Sequence, residues 1–159
     1  MKVAIYPGSF DPVTSGHLNI IRRGANIFDK LIVCVMVNAG KNPMFTLEER
    51  VELIRRVTSD LPNVEVDCSA ELLADYARQK NAHIIVKGVR NMTDFDSEMQ
   101  MARINQGIDG TLETLLLPAR AEFEHFSSTM AREMIRYGQP LTKYVPAPVA
   151  EELMKGCDH

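Results

Sequence analysis

Short apolar runs alternate with segments of helical periodicity along this chain, and this alternation limits the folds that it can adopt. The run at residues 31–37 is nearly all apolar and rich in Val and Ile, which is typical of a strand covered on both faces. Five βα units in succession predict an α/β domain: a five-stranded parallel sheet with helices on both faces, plus a C-terminal helix. The predicted strands are residues 3–6, 31–37, 63–66, 83–86 and 113–117, and the predicted helices are residues 17–28, 46–59, 71–79, 93–106, 128–137 and 147–155.

Two local signals mark boundaries between these elements. Pro7 and Gly8 follow the first apolar run and predict a turn that ends the first strand. Thr46 and Glu49 stand three residues apart before a helical pattern, which indicates a capping box with a bond in each direction.

The length and composition indicate a single domain over residues 1–159. Hydrophobic residues make up 45% of the chain and charged residues 25%, as in an ordinary globular protein. The net charge of −3 provides no overall basic field, so we expect no nucleic-acid partner. Any anionic ligand must therefore meet local positive charge.

The cysteine pattern and the apolar runs indicate the cellular compartment in which we expect the protein. Cys34, Cys68 and Cys157 show neither a CxxC pair nor metal-ligand spacing, so we expect no disulfide framework and a reducing cytoplasm. The N-terminus lacks the apolar stretch of a signal peptide, and the longest apolar run is too short to span a membrane.

Polar side chains follow four of the predicted strands, where parallel sheets place their ligands. Because the carboxyl ends of parallel strands meet at one edge of the sheet, we expect these side chains to form one shared site. They are Ser9 and His17 after the first strand, Lys41 after the second, Lys87 and Arg90 after the fourth, and Ser127, Ser128 and Thr129 after the fifth.

The segment at residues 8–17, GSFDPVTSGH, lies between the first strand and the first helix. Gly8 allows the backbone to approach a ligand closely. His17 falls near the start of its helix, where free N–H groups and the helix dipole favour an anion, so its ring can donate to a phosphate oxygen. The spacing matches neither a dinucleotide GxGxxG nor a Walker A loop. The alternative is a β–α turn with a capping histidine.

This segment resembles the G-[ST]-F-D-x-x-x-x-G-H signature of the nucleotidylyltransferase superfamily. Residues 41–50, KNPMFTLEER, resemble the K-x-P-x-F-[ST]-x-E-E-R segment of bacterial phosphopantetheine adenylyltransferases, and residues 87–98 resemble their R-G-[LIV]-R and D-[FY]-x-x-E segments. Residues 127–129 resemble the [IV]-S-S-[ST] motif of the superfamily. The likeness extends from residue 5 to about residue 145.

The resemblance implies a fold, a reaction and partners. The fold is a single-domain Rossmann-like nucleotidylyltransferase domain. The reaction transfers the adenylyl group of ATP to 4′-phosphopantetheine, giving 3′-dephospho-CoA and pyrophosphate in coenzyme A biosynthesis, by in-line attack without a covalent intermediate. The resemblance further implies a homohexamer, with CoA as a feedback inhibitor. We expect Mg²⁺ to arrive with ATP and to be held by phosphates and water, since no carboxylate cluster indicates a dedicated metal site.

Residue roles also come from the resemblance. His17 stabilises the α-phosphate in the transition state, Lys41 binds the phosphopantetheine phosphate and Arg90 grips ATP phosphates, while Ser9 contacts both substrates. The residues implied in ATP binding are Ser9, Phe10, His17, Gly88, Val89, Arg90, Glu98, Phe123, Glu124, His125, Phe126, Ser127, Ser128 and Thr129. Those implied in phosphopantetheine binding are Ser9, Lys41, Leu73, Lys87 and Asn105.

Several of these residues have structural alternatives. Lys41 and Glu98 can be solvated surface charges, and Arg90 can pair with Asp94 in a surface ion pair. Ser127 and Ser128 can act only as a helix cap. The chain departs from the family pattern at Lys87, where arginine is usual, and at Asp96–Ser97, where an acidic–aromatic pair is usual. Lys87 keeps the charge but lacks the guanidinium fork.

Two other classes of function remain open. One is a different nucleotidylyltransferase, acting on nicotinamide mononucleotide or using CTP; residues 41–50 and 87–98 argue against it. The other is a nucleotide-binding sensor without turnover, against which His17 and Lys41 argue. A flavodoxin-like carrier is disfavoured because the chain has no Trp and few aromatic residues to enclose a flavin.

Overall fold

In the computed structural model, which describes residues 1–156, five parallel strands form one sheet in the order β3-β2-β1-β4-β5. All four strand pairs are parallel, and the structure confirms the predicted α/β fold. Cys157 lies outside the described residues. The strands are β1 (Val3–Gly8), β2 (Lys30–Met36), β3 (Val64–Ser69), β4 (Ile84–Val89) and β5 (Glu113–Pro118).

All six predicted helices are present, each within two residues of its predicted ends. A short 3₁₀ helix at Ala121–Phe123 was not predicted. The helices are α1 (Ser15–Ile27), α2 (Leu47–Val57), α3 (Leu73–Gln79), α4 (Met92–Ile108), α5 (Ser128–Arg136) and α6 (Ala147–Gly156).

The hydrophobic core lies on both faces of the sheet. Successive residues of a strand point to opposite faces, and accordingly Val33 and Val35 belong to one buried cluster while Ile32 and Cys34 belong to the other. The first cluster includes buried residues of α1, α2, α5 and α6, and the second packs against α3. Burial on both faces explains why residues 31–37 are almost continuously apolar.

The predicted turn at Pro7–Gly8 is wrong: β1 continues through both residues, in register with Cys34 and Val35 of β2. Pro7 has no N–H, but its carbonyl faces β4, since Lys87 Nζ donates to it across 3.4 Å. The ladder between β1 and β4 covers only Ala4 and Ile5 on the β1 side. The missing N–H of Pro7 would therefore face β4, and at Pro7 the ladder with β4 has already ended. No ladder hydrogen bond is lost.

Lys87 lies within β4, not after its end, because β4 extends to Val89 and stays paired with β5 as far as Pro118. The β1–β4 ladder stops much earlier, at Ile5 and Ile85. A crevice therefore opens between the carboxyl ends of β1 and β4, where the strand order reverses and sheets of this kind bind ligands.

The capping interactions differ in part from the prediction. Thr46 Oγ1 accepts the Glu49 N–H at 3.1 Å, which is one half of the capping box expected there. A complete capping box forms instead between Thr14 and His17 at the start of α1. In the part of the chain that the structure describes, no helix combines the length and the apolar character needed to cross a bilayer.

Candidate active site

A cleft of about 330 Å³ occupies the crevice between β1 and β4. It brings together polar side chains that follow four different strands, β1, β2, β4 and β5, together with Lys87 inside β4. Three described residues that the resemblance implies in ATP binding, Val89, Glu124 and His125, do not line this cleft. Those that do line it are Ser9, Phe10, His17, Gly88, Arg90, Glu98, Phe123, Phe126, Ser127, Ser128 and Thr129.

A second cavity, of about 680 Å³, adjoins the cleft. All five residues implied in phosphopantetheine binding line it: Ser9, Lys41, Leu73, Lys87 and Asn105. Ser9, Lys41 and Lys87 also line the first cleft. Glu98 lines both cavities as well, so they meet at a wall that carries two cations, one carboxylate and a hydroxyl.

His17 is fixed by the capping box of α1. The ring atom Nδ1 of His17 accepts the backbone N–H of Thr14 at 2.9 Å. The backbone N–H of His17 in turn donates to Thr14 Oγ1 at 3.2 Å. Because Nδ1 is an acceptor, a neutral ring carries its proton on Nε2. Burial, and then the nearby charges of Lys87 and Arg90, lower the pKa of His17 to about 3. The ring is thus a neutral hydrogen-bond donor in the ordinary pH range.

The side chain of Phe10 packs against the His17 ring. Its side chain is 2% exposed and meets the rings of His17 and Tyr6 edge-on, with centroid distances of 5.0 and 5.2 Å. Its backbone has φ +46°, a left-handed conformation that is uncommon for a non-glycine residue. A Cβ at Gly8 would lie 3.0 Å from the Phe10 ring, which explains the glycine there.

Two ion pairs belong to the lining of the cleft. Arg90 donates to both carboxylate oxygens of Asp94, at 2.9 and 3.2 Å, so the pairing considered from the sequence does form. Lys87 Nζ lies 3.4 Å from Glu98 Oε1, with both side chains about one-quarter exposed. Arg90 nevertheless lines the cleft. Each of these two cations is thus held in place by a carboxylate.

The start of α5 closes the cleft. Ser127 is the N-cap, and its Oγ accepts the Met130 N–H at 3.1 Å, which leaves its hydroxyl proton available to a ligand. Ser128 Oγ donates to the Pro12 carbonyl at 2.8 Å. Ser127 therefore combines the capping role with a place in the site, whereas the Ser128 hydroxyl ties α5 to the loop after β1.

Asp11 organises the loop that carries Lys41, a role that sequence reasoning missed. We call residues 37–46 the Lys41 loop. Asp11 is 6% exposed, and its two carboxylate oxygens accept the N–H groups of Met44 and Phe45, each at 2.9 Å. Asp11 stands inside the signature at residues 8–17, and that position was the available signal.

Two arginines at the site were also missed. Arg132, on α5, donates to the Asp11 carbonyl at 2.7 Å and lies 3.7 Å from its carboxylate. Arg50, on α2, is 6% exposed and donates to the Ser9 carbonyl at 3.0 Å. Arg50 is the last residue of the family-like segment at residues 41–50, and that position was the available signal, whereas Arg132 occurs within an ordinary amphipathic helix pattern.

This fold and site define a class, that of nucleotide-binding transferase domains with a histidine at the start of the first helix. A family model described as cytidylyltransferase-like matches residues 5–134. A putative nicotinate-nucleotide adenylyltransferase from Vibrio parahaemolyticus aligns with a TM-score of 0.70 and 20% identity, covering 98% of this chain and 93% of that one. A bifunctional NMN adenylyltransferase/ADP ribose pyrophosphatase from Francisella tularensis aligns with a TM-score of 0.75 and 20% identity, covering 99% and 50%. At these identities the likeness establishes the fold.

Closer relatives identify the family. A phosphopantetheine adenylyltransferase from Caldanaerobacter subterraneus subsp. tengcongensis is 50% identical over 155 residues, covering 98% of this chain and 97% of the relative. Proteins of the same name from Alkaliphilus metalliredigens and Clostridium botulinum (strain 657 / Type Ba4) are 45% and 42% identical, covering 98% and 100% of this chain and 99% and 97% of the relatives. The chain belongs to the phosphopantetheine adenylyltransferase family.

Proposed function

We propose that this enzyme transfers the adenylyl group of ATP to 4′-phosphopantetheine. A phosphate oxygen of phosphopantetheine attacks the α-phosphorus of ATP, the bond from that phosphorus to the α,β-bridging oxygen breaks, and pyrophosphate leaves with the electron pair. The products are 3′-dephospho-CoA and pyrophosphate. The attacking phosphate is already an anion at neutral pH, so the reaction needs neither a covalent enzyme intermediate nor a strong protein base.

The observation that carries this proposal is the meeting of two cavities at Ser9, Lys41 and Lys87. A two-substrate transfer requires two binding sites whose reacting ends come together, and positive charge there offsets the repulsion between two phosphates. The larger cavity has an apolar side that includes Leu73, Met101 and Ile104, which suits the pantetheine arm. The smaller cleft, next to His17, takes the nucleotide.

His17 acts as a fixed donor to the α-phosphate. The Nε2 proton is set by the Thr14 bond to Nδ1, so the ring needs no reorganisation as negative charge develops on the phosphoryl oxygens. Preorganised donors of this kind are worth about 10²–10³ in rate. Ser9 adds a hydroxyl beside both substrates.

The cations have complementary roles. Lys41 and Lys87, on the shared wall, bind the phosphopantetheine phosphate and neutralise the developing charge. Arg90 exchanges part of its bond with Asp94 for the ATP phosphates, to which a planar guanidinium can donate two hydrogen bonds. The remaining contacts are proposed as follows: Ser127, Ser128 and Thr129 with phosphates; Phe10, Gly88, Val89, Glu98, Phe123, Glu124, His125 and Phe126 with adenosine; Leu73 and Asn105 with the pantetheine arm.

Mg²⁺ would enter as the ATP complex and supply further charge neutralisation. Among the described lining residues of the cleft the carboxylates are Asp94 and Glu98, and a cation already pairs with each. Within residues 1–156 no group of three His, Cys, Asp or Glu side chains is arranged to hold an ion. These residues fit an ion held by phosphate oxygens and water.

We also propose that the enzyme works in the cytoplasm as a homohexamer, with CoA as a feedback inhibitor that occupies both cavities. Support for self-association comes from α4: of its residues only Asn105 is buried, while its apolar side chains face solvent in the single chain. Met92 and Phe95, which line neither cavity, are 76% and 37% exposed. Sedimentation velocity measures the assembly, and a species of six chains is expected.

The reaction is tested by pyrophosphate release from Mg·ATP, with 4′-phosphopantetheine, nicotinamide mononucleotide and glycerol 3-phosphate offered separately and CTP in parallel. Release only with ATP and phosphopantetheine is expected. Release with another pair of substrates would show that the protein catalyses a different nucleotidylyltransferase reaction. No release with any pair would favour the nucleotide sensor.

A further inference from the structure

Arg50, on α2, is a buried cation that none of the roles proposed above uses. It is 6% exposed, and it lines neither the ATP cleft nor the larger cavity. Its guanidinium donates from Nη1 to the Ser9 carbonyl at 3.0 Å and from Nε to the Thr46 carbonyl at 3.4 Å. Charged donors make stronger hydrogen bonds than neutral ones, and the planar guanidinium holds its donors in a fixed geometry. Arg50 therefore fixes where these two carbonyls lie.

Ser9 depends on this bond for its position. It is the first residue after β1, and it is exposed at the wall between the two cavities and lines both of them. Among residues 1–156 neither its hydroxyl nor its N–H has a hydrogen-bond partner, so the bond from Arg50 is the only one that Ser9 makes there. A hydroxyl without a partner of its own takes its position from the backbone that carries it.

The second bond of Arg50 ties Ser9 to the Lys41 loop. Thr46 is the last residue of that loop and the N-cap of α2. One guanidinium therefore joins the end of the Lys41 loop to the residue after β1. Because Lys41 and Ser9 share the wall between the cavities, the distance between this cation and this hydroxyl depends on Arg50.

The rest of the loop after β1 is held by other groups. Two donors from α5 bind the carbonyls of residues 11 and 12, at 2.7 and 2.8 Å. The His17 ring is fixed by the capping box of α1. Loss of the Arg50 guanidinium should therefore release Ser9 and leave these other contacts in place.

We propose that Arg50 is a positioning residue for the transfer reaction, which acts through Ser9 and touches neither substrate. The inference rests on the proposed function, since it requires the Ser9 hydroxyl to meet phosphoryl oxygens in the transition state. There the donor must hold one geometry, and a displacement of about 1 Å can cost about 10²-fold in rate. A mobile Ser9 can still meet phosphates in the ground state. Loss of Arg50 should therefore lower kcat and leave both KM values nearly unchanged.

Steady-state pyrophosphate release by the full chain, with Mg·ATP and 4′-phosphopantetheine, tests this role. Arg50→Lys keeps the charge but loses the fixed pair of donors, so kcat should fall about ten- to hundredfold while each KM stays within about threefold. The matched control is Arg55→Lys, the same exchange at an exposed residue of α2, and it should leave kcat and KM unchanged. If Arg50→Lys does not fold, as judged by its Tm, Arg50→Gln buries no charge and should show the same loss of kcat.

Two further backgrounds identify the group through which Arg50 acts. In Ser9→Ala the positioned hydroxyl is already gone, so adding Arg50→Lys should lower kcat by no more than about twofold. In His17→Gln, at a residue held by a separate bond, adding Arg50→Lys should lower kcat by its full factor.

Three results would overturn the proposal. The full loss of kcat in the Ser9→Ala background would show that Arg50 does not act through Ser9. A raised KM for either substrate at native kcat would make Arg50 a substrate-binding residue instead. Native kcat in Arg50→Lys would remove the role of Arg50 alone, whereas a native enzyme that releases no pyrophosphate would refute the proposed reaction and this role together.

Discussion

The backbone N–H of Thr14 donates to His17 Nδ1 across 2.9 Å. This one bond closes the capping box of α1 and at the same time fixes the ring's proton on Nε2. The capping role of His17 and a role as a phosphate donor, which were alternatives at the level of sequence, are therefore compatible in one arrangement.

His17→Gln separates those two roles. Glutamine at this position can still return the capping-box bond to the Thr14 N–H, but its shorter side chain does not present the same donor to the α-phosphate. We expect a kcat lower by about 10²–10³, with ATP affinity within several-fold of the native enzyme and little change in Tm. Near-native turnover in a folded variant would remove His17 from the mechanism.

The depressed pKa of His17 also predicts a pH dependence of stability. An unfolded histidine titrates near pH 6.5, whereas burial and the nearby cations lower the folded value to about 3. Between these values the unfolded chain binds the extra proton, so the stability contribution is complete above about pH 6.5 and is lost as pH falls toward 3.

The measurement is the free energy of unfolding in denaturant from pH 7 to pH 4.5, for the native chain and for His17→Gln. The difference between the two should decrease by about 1.4 kcal/mol per pH unit below pH 6. Other titrating groups cancel in this comparison. A difference that stays constant with pH would mean that His17 titrates normally in the folded protein.

Periodicity was sufficient to predict the sheet, because burial on both faces leaves a continuous apolar pattern such as residues 31–37. The turn signal at Pro7–Gly8 was misleading, because the β1–β4 ladder ends before Pro7 and the usual penalty for proline in a strand is absent there. The signature segments predicted Ser9, His17 and Lys41. Arg50 ends the segment at residues 41–50, but neither it nor Arg132 was assigned a role, since the Ser9 and Asp11 carbonyls to which they donate are distant in sequence and only the fold brings them near.

Asp11 is expected to act through Lys41. Asp11→Asn keeps the size of the side chain but removes the charge and one acceptor, so the bonds to Met44 and Phe45 weaken and the Lys41 loop loses its fixed position. We expect KM for phosphopantetheine to rise about tenfold, with a smaller change in KM for ATP.

A double-mutant cycle with Lys41→Ala distinguishes this role from general destabilisation. If Asp11 positions Lys41, adding Asp11→Asn to Lys41→Ala should raise KM no further. Asp60→Asn, at an exposed residue that pairs with Arg22, is the control and should leave KM unchanged. Fully additive effects in the cycle would show that Asp11 does not act through Lys41.

Lys87 stands where the segment that this chain resembles has arginine, and the geometry of Lys87 predicts that an exchange to arginine is tolerated. Lys87 Nζ lies 3.4 Å from both Glu98 Oε1 and the Pro7 carbonyl, at the wall between the two cavities. Lys87→Arg keeps the charge and adds a fork for phosphate, so activity should be retained and KM for phosphopantetheine should stay level or fall. Lys87→Met removes the charge and should raise that KM about tenfold. A large loss of activity in Lys87→Arg, with Tm unchanged, would mean that the wall accepts only the compact ammonium group between Glu98 and Pro7.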